Sequence, residues 1–362
     1  PELAAEGAAF TTVNGWERAE YFKPSADFEV TYGFAFDESF DVVAREVAAV
    51  QNAVGLCEVN GFNRFEITGE GAAGFLDRMI CGALPRKPGR VGLAYMLNHH
   101  GMLKAEATIA NLPATDRGPA RIWYGSAAAS ELHDMDWLQQ HIAPDEDVEI
   151  KSLTNEQTIL VLAGPKARNV MQSVSRADWS SNAFPWLSVR ECFVGIAPAT
   201  VMAVSFSGEL AYEIHVPNAS LHAAYSALRT AGEAYGLAHF GALAVESMRM
   251  EKGFLHWKAD ILTEFDPYET GLGRFVRPQK DVFVGKDALA QRAESGPNKQ
   301  LVTLVLEGDT AAAHGGASVM VDEDVVGTVT SGAWGHRTGK NIAYAFVELS
   351  LSTEGQALHV DV

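Results

Sequence analysis

Glu213 stands in the middle of an alternating stretch, Ala211-Tyr212-Glu213-Ile214-His215-Val216-Pro217. On a strand, Tyr212, Ile214 and Val216 share one face and Glu213 and His215 the other. If that second face lines a cavity, the carboxylate can accept two parallel N–H bonds from a guanidine-like edge, the fork geometry that also suits arginine. If it faces water, it does nothing special. Farther along, Glu246, Arg249 and Lys252 are spaced three apart on an expected helix and form one polar stripe. Most such stripes are solvated ion-pair ladders. The chain then continues Phe254-Leu255-His256-Trp257-Lys258-Ala259-Asp260, in which Trp257 is expected to end the helix, either as core or as a cap on an aromatic ligand. A third acid, Glu106, lies on the returning strand of an expected hairpin from Tyr95 to Ile109, and its residue type alone favours a solvated glutamate.

Other chemistries find less support. Gly69-Glu70-Gly71-Ala72-Ala73-Gly74 matches G-x-G-x-x-G between a strand and a helix. A dinucleotide site would need a second strand ending in an acid about 20 residues on. The chain instead reads Leu84-Pro85-Arg86-Lys87-Pro88-Gly89-Arg90, which is turn-rich and basic, so a plain strand-to-helix turn is the better reading. His99 and His100 are adjacent and would point to opposite faces of a strand, so they cannot chelate one metal together. No metal site is expected. Nucleophile-elbow, HExxH, P-loop and kinase signatures are absent, which leaves hydrolysis by serine, zinc proteolysis and phosphoryl transfer without support.

The elements that must position these residues are mixed. Helices are expected over 40–54, 74–80, 127–141, 166–174 and 219–235, and strands over 65–68, 92–97, 103–110, 121–124, 148–150, 158–163, 200–206 and 212–216. Ile67-Thr68-Gly69 and Leu162-Ala163-Gly164-Pro165 each precede a helix, which suggests two related α+β units. Beyond about residue 275 the texture changes to short strands separated by regular turns, the pattern of a small antiparallel barrel or sandwich. Residues 1–35 are aromatic-rich and irregular, and read as a leader wrapping a surface. The expected organisation is therefore a leader over 1–35, two α+β units over 36–290, and a β domain over 300–362, with the boundary near Gly296-Pro297-Asn298.

The 362 residues are 47% hydrophobic, enough for sizeable cores. With 46 acidic against 28 basic residues the formal charge is −18, a field that repels nucleic acid and anionic membrane surfaces. Cys57, Cys81 and Cys192 are odd in number and form no CxxC pair, arguing against a disulfide framework or thiolate zinc site. No membrane span or secretory signal is written, so a cytoplasmic protein is expected. Pro1 stands where an initiator methionine would, so the chain is expected to be either processed or a piece of a longer one.

Five collinear segments carry a resemblance over essentially the whole length: Asn14 to Phe22, Met96 to Ile109, Gly208 to Pro217, Ser247 to Asp260, and Val329-Thr330-Ser331-Gly332 continuing to Gly339-Lys340-Asn341-Ile342-Ala343. Together they resemble the aminomethyltransferase (glycine-cleavage T-protein) superfamily, most of all the folate-binding region of dimethylglycine and sarcosine dehydrogenases. The resemblance implies an α+β fold whose two units surround a central folate channel, followed by a small antiparallel β-barrel domain. It implies tetrahydrofolate as cofactor, with Glu213 as pterin anchor, Arg249 near the folate, and Tyr95 and Trp257 flanking the ring. Glu106 falls where the family has an aspartate close to the reactive folate nitrogens. The extra methylene moves a carboxylate by roughly 1 to 1.5 Å, and a misplacement of that order can cost about 100-fold at a reacting centre.

The resemblance implies a tetrahydrofolate-dependent transferase that moves a methyl or aminomethyl carbon from an N-methylated amine or onium substrate, with methyl-folate or methylene-folate as alternative products. No FAD module stands ahead of Pro1, so the expectation is a carbon already activated elsewhere or a donor that needs no oxidation. Two alternatives stay open. One is the folate-binding subunit or domain of a flavoprotein demethylase, the other a non-catalytic folate-binding regulatory protein. The donor, the oligomeric state and the effect of glutamate at 106 are not written in any motif.

Overall fold

The computed structural model describes residues 2–13, 15–115 and 118–362; Asn14, which opens the first of the resembling segments, lies outside the described residues. The described residues form a six-stranded sheet, two five-stranded sheets, one of them C-terminal, and an N-terminal hairpin.

The first large sheet has five antiparallel strands in the order Val91–Leu97, Leu103–Leu112, Arg121–Ala127, Phe62–Thr68, Glu149–Ser152. Period-two alternation gives each strand one apolar face. Phe65, Ile67, Ala105, Ala107, Ile109 and Tyr124 pack beneath the helices Ala72–Met79 and Glu131–Gln140. The second sheet has six strands in the order Val189–Val194, Ala197–Met202, Ala211–Pro217, Gln157–Ala163, Val54–Val59, Leu237–His239. One face packs on helices Ala167–Val174 and Leu221–Glu233, the other on Ser39–Asn52 and Ala242–Glu251. The two sheets meet where Val91, Ala110, Leu112 and Trp123 of the first pack on Val189 and Met202 of the second.

Both expected strand-to-helix turns are present and depend on glycine. Gly69 and Gly164 have φ of 105° and 125°, and a Cβ on either would stand 2.1 Å from the Asp147 carbonyl oxygen or 2.4 Å from that of Val50. The last sheet runs Lys299–Leu306, Lys340–Glu348, Asp324–Gly335, Ser318–Val321, His359–Val360, all antiparallel, around Val319, Val329, Ala343, Ala345 and Val347.

Three sequence expectations need correction. The leader is not irregular: Ala8–Val13 and Trp16–Phe22 form an antiparallel hairpin, with Ala19 and Tyr21 buried and Leu3 in the core of the six-stranded sheet. Of its interleaved charges, Glu17 is exposed, whereas Arg18 Nε reaches back to donate to the Asn60 carbonyl at 2.6 Å. The strands Val54–Val59, Val189–Val194 and Leu237–His239 escape the pattern reading, the first because it comes after its helix by a single residue. The strand expected through Phe206 ends at Met202.

Candidate functional site

Along Leu103–Leu112, Leu103, Ala105, Ala107 and Ile109 point into cores, so Lys104, Glu106 and Thr108 occupy the opposite face. Glu106 pairs in register with Tyr95, whose hydroxyl donates to Glu106 Oε1 at 2.9 Å. Burial pushes the Glu106 carboxyl up to about 7; the Tyr95 bond works against that rise and the charge of Asp260 adds to it. Tyr95 is itself held well above the usual phenol range, first by burial and then by Glu106. The glutamate that residue type favoured as solvated is therefore half-buried. Its proton comes and goes near neutrality, as a general base requires.

Glu213 obeys the alternation. Tyr212, Ile214 and Val216 are wholly buried in the core under the helices, and Glu213 and His215 lie on the other face. Glu213 Oε2 stands 3.5 Å from His215 Nε2, and its side chain retains 29% exposure. Among the described residues no closer hydrogen bond occupies this carboxylate. His215 is buried, and burial lowers its pKa, leaving the ring neutral at pH 7. Its ring meets Trp123 of the five-stranded sheet edge-on at 4.8 Å, so His215 marks where the two sheets face each other. Glu106 and Trp123 share a face of one sheet, Glu213 and His215 a face of the other, and the gap between these faces is the candidate site.

Arg249 does not belong to a solvated stripe. It is 0% exposed on helix Ala242–Glu251. Nη1 donates to Asp260 Oδ2 at 2.6 Å and to the Phe254 carbonyl at 3.0 Å, and Nη2 donates to Glu246 and to Ser331 Oγ at 2.9 Å. Burial alone would lower its pKa, but the carboxylates of Glu246 and Asp260 together hold it above the usual arginine value. Its two terminal nitrogens are engaged by these groups, which it holds in place. Asp260, which pattern reading gave no role, is the centre of this cluster. It also accepts from the His256 amide at 2.9 Å and from the hydroxyls of Thr330 and Ser331 at 2.5 and 2.6 Å. The cluster ties the C-terminal sheet to the residues behind Glu106.

Trp257 does not end a helix either, since that helix stops at Glu251. Its ring is 6% exposed in a cluster with Tyr95, Cys81 and Leu97, and its indole N–H donates to Ser130 Oγ at 3.1 Å. It backs Tyr95 and leaves little ring for a ligand to stack on. In the G-x-G-x-x-G turn, the amides of Glu70 and Gly71 donate to the Asp147 carboxylate and carbonyl, both at 2.9 Å, so the chain itself fills the place a phosphate would take. His99 and His100 sit in the hairpin turn, not on a strand. A surface cleft of about 420 Å³ is lined by His100, Asp266 and Arg292 and by none of Glu106, Glu213, Arg249, Tyr95 and Trp257; its Arg292 and Asp266 pair with each other at 2.8 Å.

The GCVT N-terminal domain family matches residues 1–280 and the glycine cleavage T-protein C-terminal barrel domain matches residues 299–362. The chain belongs to the glycine cleavage T-protein family. This T-protein family chain is 32% identical over 351 residues to the mitochondrial dimethylglycine dehydrogenase of Homo sapiens, covering 96% of itself and 40% of that protein. It is 31% identical over 369 residues to the sarcosine oxidase subunit alpha of Rhizobium meliloti (strain 1021), covering 98% of itself and 36% of that protein. It thus spans well under half the length of these curated relatives. In fold it matches the crystal structure of the glycine cleavage system aminomethyltransferase T from Bartonella henselae, with a TM-score of 0.83 over 99% of this chain and 91% of that one at 20% identity. No helix among the described residues is long and apolar enough to cross a membrane.

Proposed function

We propose that the chain is a tetrahydrofolate-dependent one-carbon transferase that takes a methyl or aminomethyl carbon from a methylated amine or onium donor. The observation that supports this most is the presence of two different carboxylates on the sheet faces that the Trp123–His215 contact brings together. Glu213 has its acceptor positions open, and Glu106 titrates near 7 against a tyrosine hydroxyl. These residues fit a reduced pterin, because an open carboxylate on a half-buried strand face is what an amino-pyrimidinone edge pairs with through two N–H bonds.

When bound, tetrahydrofolate supplies a nucleophilic nitrogen that accepts the carbon. Glu213 holds the ring edge. Glu106 holds or takes the proton of the reacting nitrogen, a contribution of typically 10²- to 10⁴-fold. Tyr95 fixes which Glu106 oxygen faces the gap. Arg249 holds Asp260 in place, and Asp260 adds to the upward push on Glu106. Trp257 backs Tyr95 and keeps water from the far side of the pair.

The test is a single-turnover assay with tetrahydrofolate and a panel of glycine betaine, dimethylglycine, sarcosine and sulfonium donors, reading methyl- against methylene-folate by mass. Wild type is expected to give one folate product, with a rate that climbs as Glu106 loses its proton through about pH 7. Glu106→Gln should be slower by about 100-fold or more, with a flat pH profile and unchanged folate affinity. Equal rates for the two proteins would remove Glu106 from the chemistry.

A second reading is favoured by the partial coverage of the relatives. The chain corresponds to 40% of the length of dimethylglycine dehydrogenase, so it also suits the folate-binding portion of a flavoprotein demethylase, capturing carbon oxidised elsewhere. In that case turnover appears only when the flavoprotein is added, and the product is methylene-folate.

A further inference from the structure

Arg64 lies on the gap-facing side of strand Phe62–Thr68, opposite the core residues Phe65 and Ile67. It is 1% exposed, yet among the described residues no carboxylate lies within ion-pair distance of it. Nη2 donates to the Thr154 carbonyl, while Nε and Nη1 are buried with no partner at all. Burial lowers its pKa to about 10, so it stays charged at neutral pH. A buried charge that contacts no counter-charge costs several kcal/mol, and Glu131 acts on Arg64 only from a distance. In a chain with 46 acidic residues, a counter-charge would have been easy to supply.

The polar atoms around it are equally idle. Trp123 Nε1 and His215 Nδ1 are buried without partners. Trp123 is on the strand next to Arg64, facing the same gap through its register with Glu66, and His215 reaches across from the other sheet to touch its ring. Arg64 is close enough to His215 for its charge to oppose protonation of the imidazole. Of the acids around it, Glu131 acts on Arg64 through its charge but accepts its hydrogen bond from Ser152 Oγ at 2.6 Å, and Glu213 Oε2 stands 3.5 Å from His215 Nε2 without hydrogen-bonding it, so both ring nitrogens are without partners.

We propose that Arg64, Trp123 and His215 form a carboxylate-binding subsite in the inter-sheet gap, separate from the Glu213 anchor. Arg64 supplies the charge and two N–H donors, Trp123 one donor, and neutral His215 one more in the Nδ1–H tautomer. A monoanion suits the site. It balances one guanidinium, whereas a phosphate dianion would be left with excess charge between Glu131 and Glu213. The carboxylate has two chemical sources: an amino-acid donor of the one-carbon unit, or the glutamate tail of a folate-type ligand.

Calorimetry on the full chain separates them, with dimethylglycine, p-aminobenzoylglutamate and tail-less tetrahydropterin as probes for wild type, Arg64→Met and Arg64→Lys. One carboxylate probe should bind wild type and lose roughly 10- to 100-fold in Arg64→Met, the range expected for removing a charged hydrogen-bond donor. Loss of dimethylglycine binding assigns the site to the donor, and loss of p-aminobenzoylglutamate binding assigns it to the tail. Tail-less tetrahydropterin should be indifferent to position 64, and its binding reports on Glu213 independently. Arg64→Lys should retain part of the affinity. Without ligand, Arg64→Met should melt no lower than wild type, since it removes an unpaired charge. The proposal is overturned if neither carboxylate probe binds wild type, if both bind Arg64→Met as tightly, or if Arg64→Met unfolds or loses all probes equally.

Discussion

Arg249 and Arg64 are both withdrawn from water, at 0% and 1% exposure, yet their surroundings are opposite. Arg249 touches two carboxylates, a hydroxyl and a carbonyl, and joins the helix that carries Glu246 to the C-terminal sheet. Arg64 has one carbonyl and two idle nitrogens beside a neutral histidine and an idle indole. Each keeps an unpartnered Nε, so what separates them is the ion pairing: Arg249 is paired with two carboxylates and, among the described residues, Arg64 with none. The family resemblance places Arg249 near the folate, and the structure shows it ion-paired with Glu246 and Asp260.

The contrast can be broken most forcefully at Arg249. Arg249→Met leaves Asp260 buried and uncompensated, and should lower stability by about 3 to 5 kcal/mol. Urea unfolding should show the midpoint falling well below wild type. An unchanged midpoint would mean that the cluster is not what joins the C-terminal sheet to the rest.

Glu46 provides the next largest effect, as a buried acid held by backbone alone. Its carboxylate accepts from the Phe22 amide at 2.6 Å and the Gly241 amide at 2.8 Å, clasping the N-terminal hairpin to the start of the helix that bears Arg249. Burial raises it from 4.5 to about 7 despite those two bonds. Between these values the folded state keeps a proton that the unfolded state has released, so stability falls as pH rises through the window, by roughly 3 kcal/mol in all. Glu106 adds a slope of the same sign. In denaturation titrations from pH 4.5 to 7, Glu46→Gln should remove about half of the decline. A decline as steep as in wild type would place the proton elsewhere. At Arg64 the expected change in ligand-free melting is the smallest of the three, near zero or slightly upward.

Much of the scaffold was legible because alternation is a local signal. Leu103–Leu112 and Ala211–Pro217 could be oriented residue by residue, and with them Glu106 and the Glu213–His215 face. What could not be read depends on partners distant in sequence. The helix stripe looked solvated because its neutralising groups, Asp260 and Ser331, lie 11 and 82 residues beyond Arg249. Whether Glu106 meets water depends on how one sheet faces another, which no window of residues encodes. Trp257 was misplaced because its helix ends early, at Glu251, and the chain then turns through Lys258 at φ 69°. Arg64 had no signature at all, since what distinguishes it is two guanidinium nitrogens left without partners.

The central claim is that Glu213 anchors a reduced pterin across the gap from Glu106. Isothermal titration of tetrahydrofolate into wild type and Glu213→Ala tests it most directly. Wild type should give a saturable heat, and the variant should bind at least about tenfold more weakly, the loss expected for charge-assisted hydrogen bonds. No heat with wild type, or equal affinity in the variant, would contradict the account.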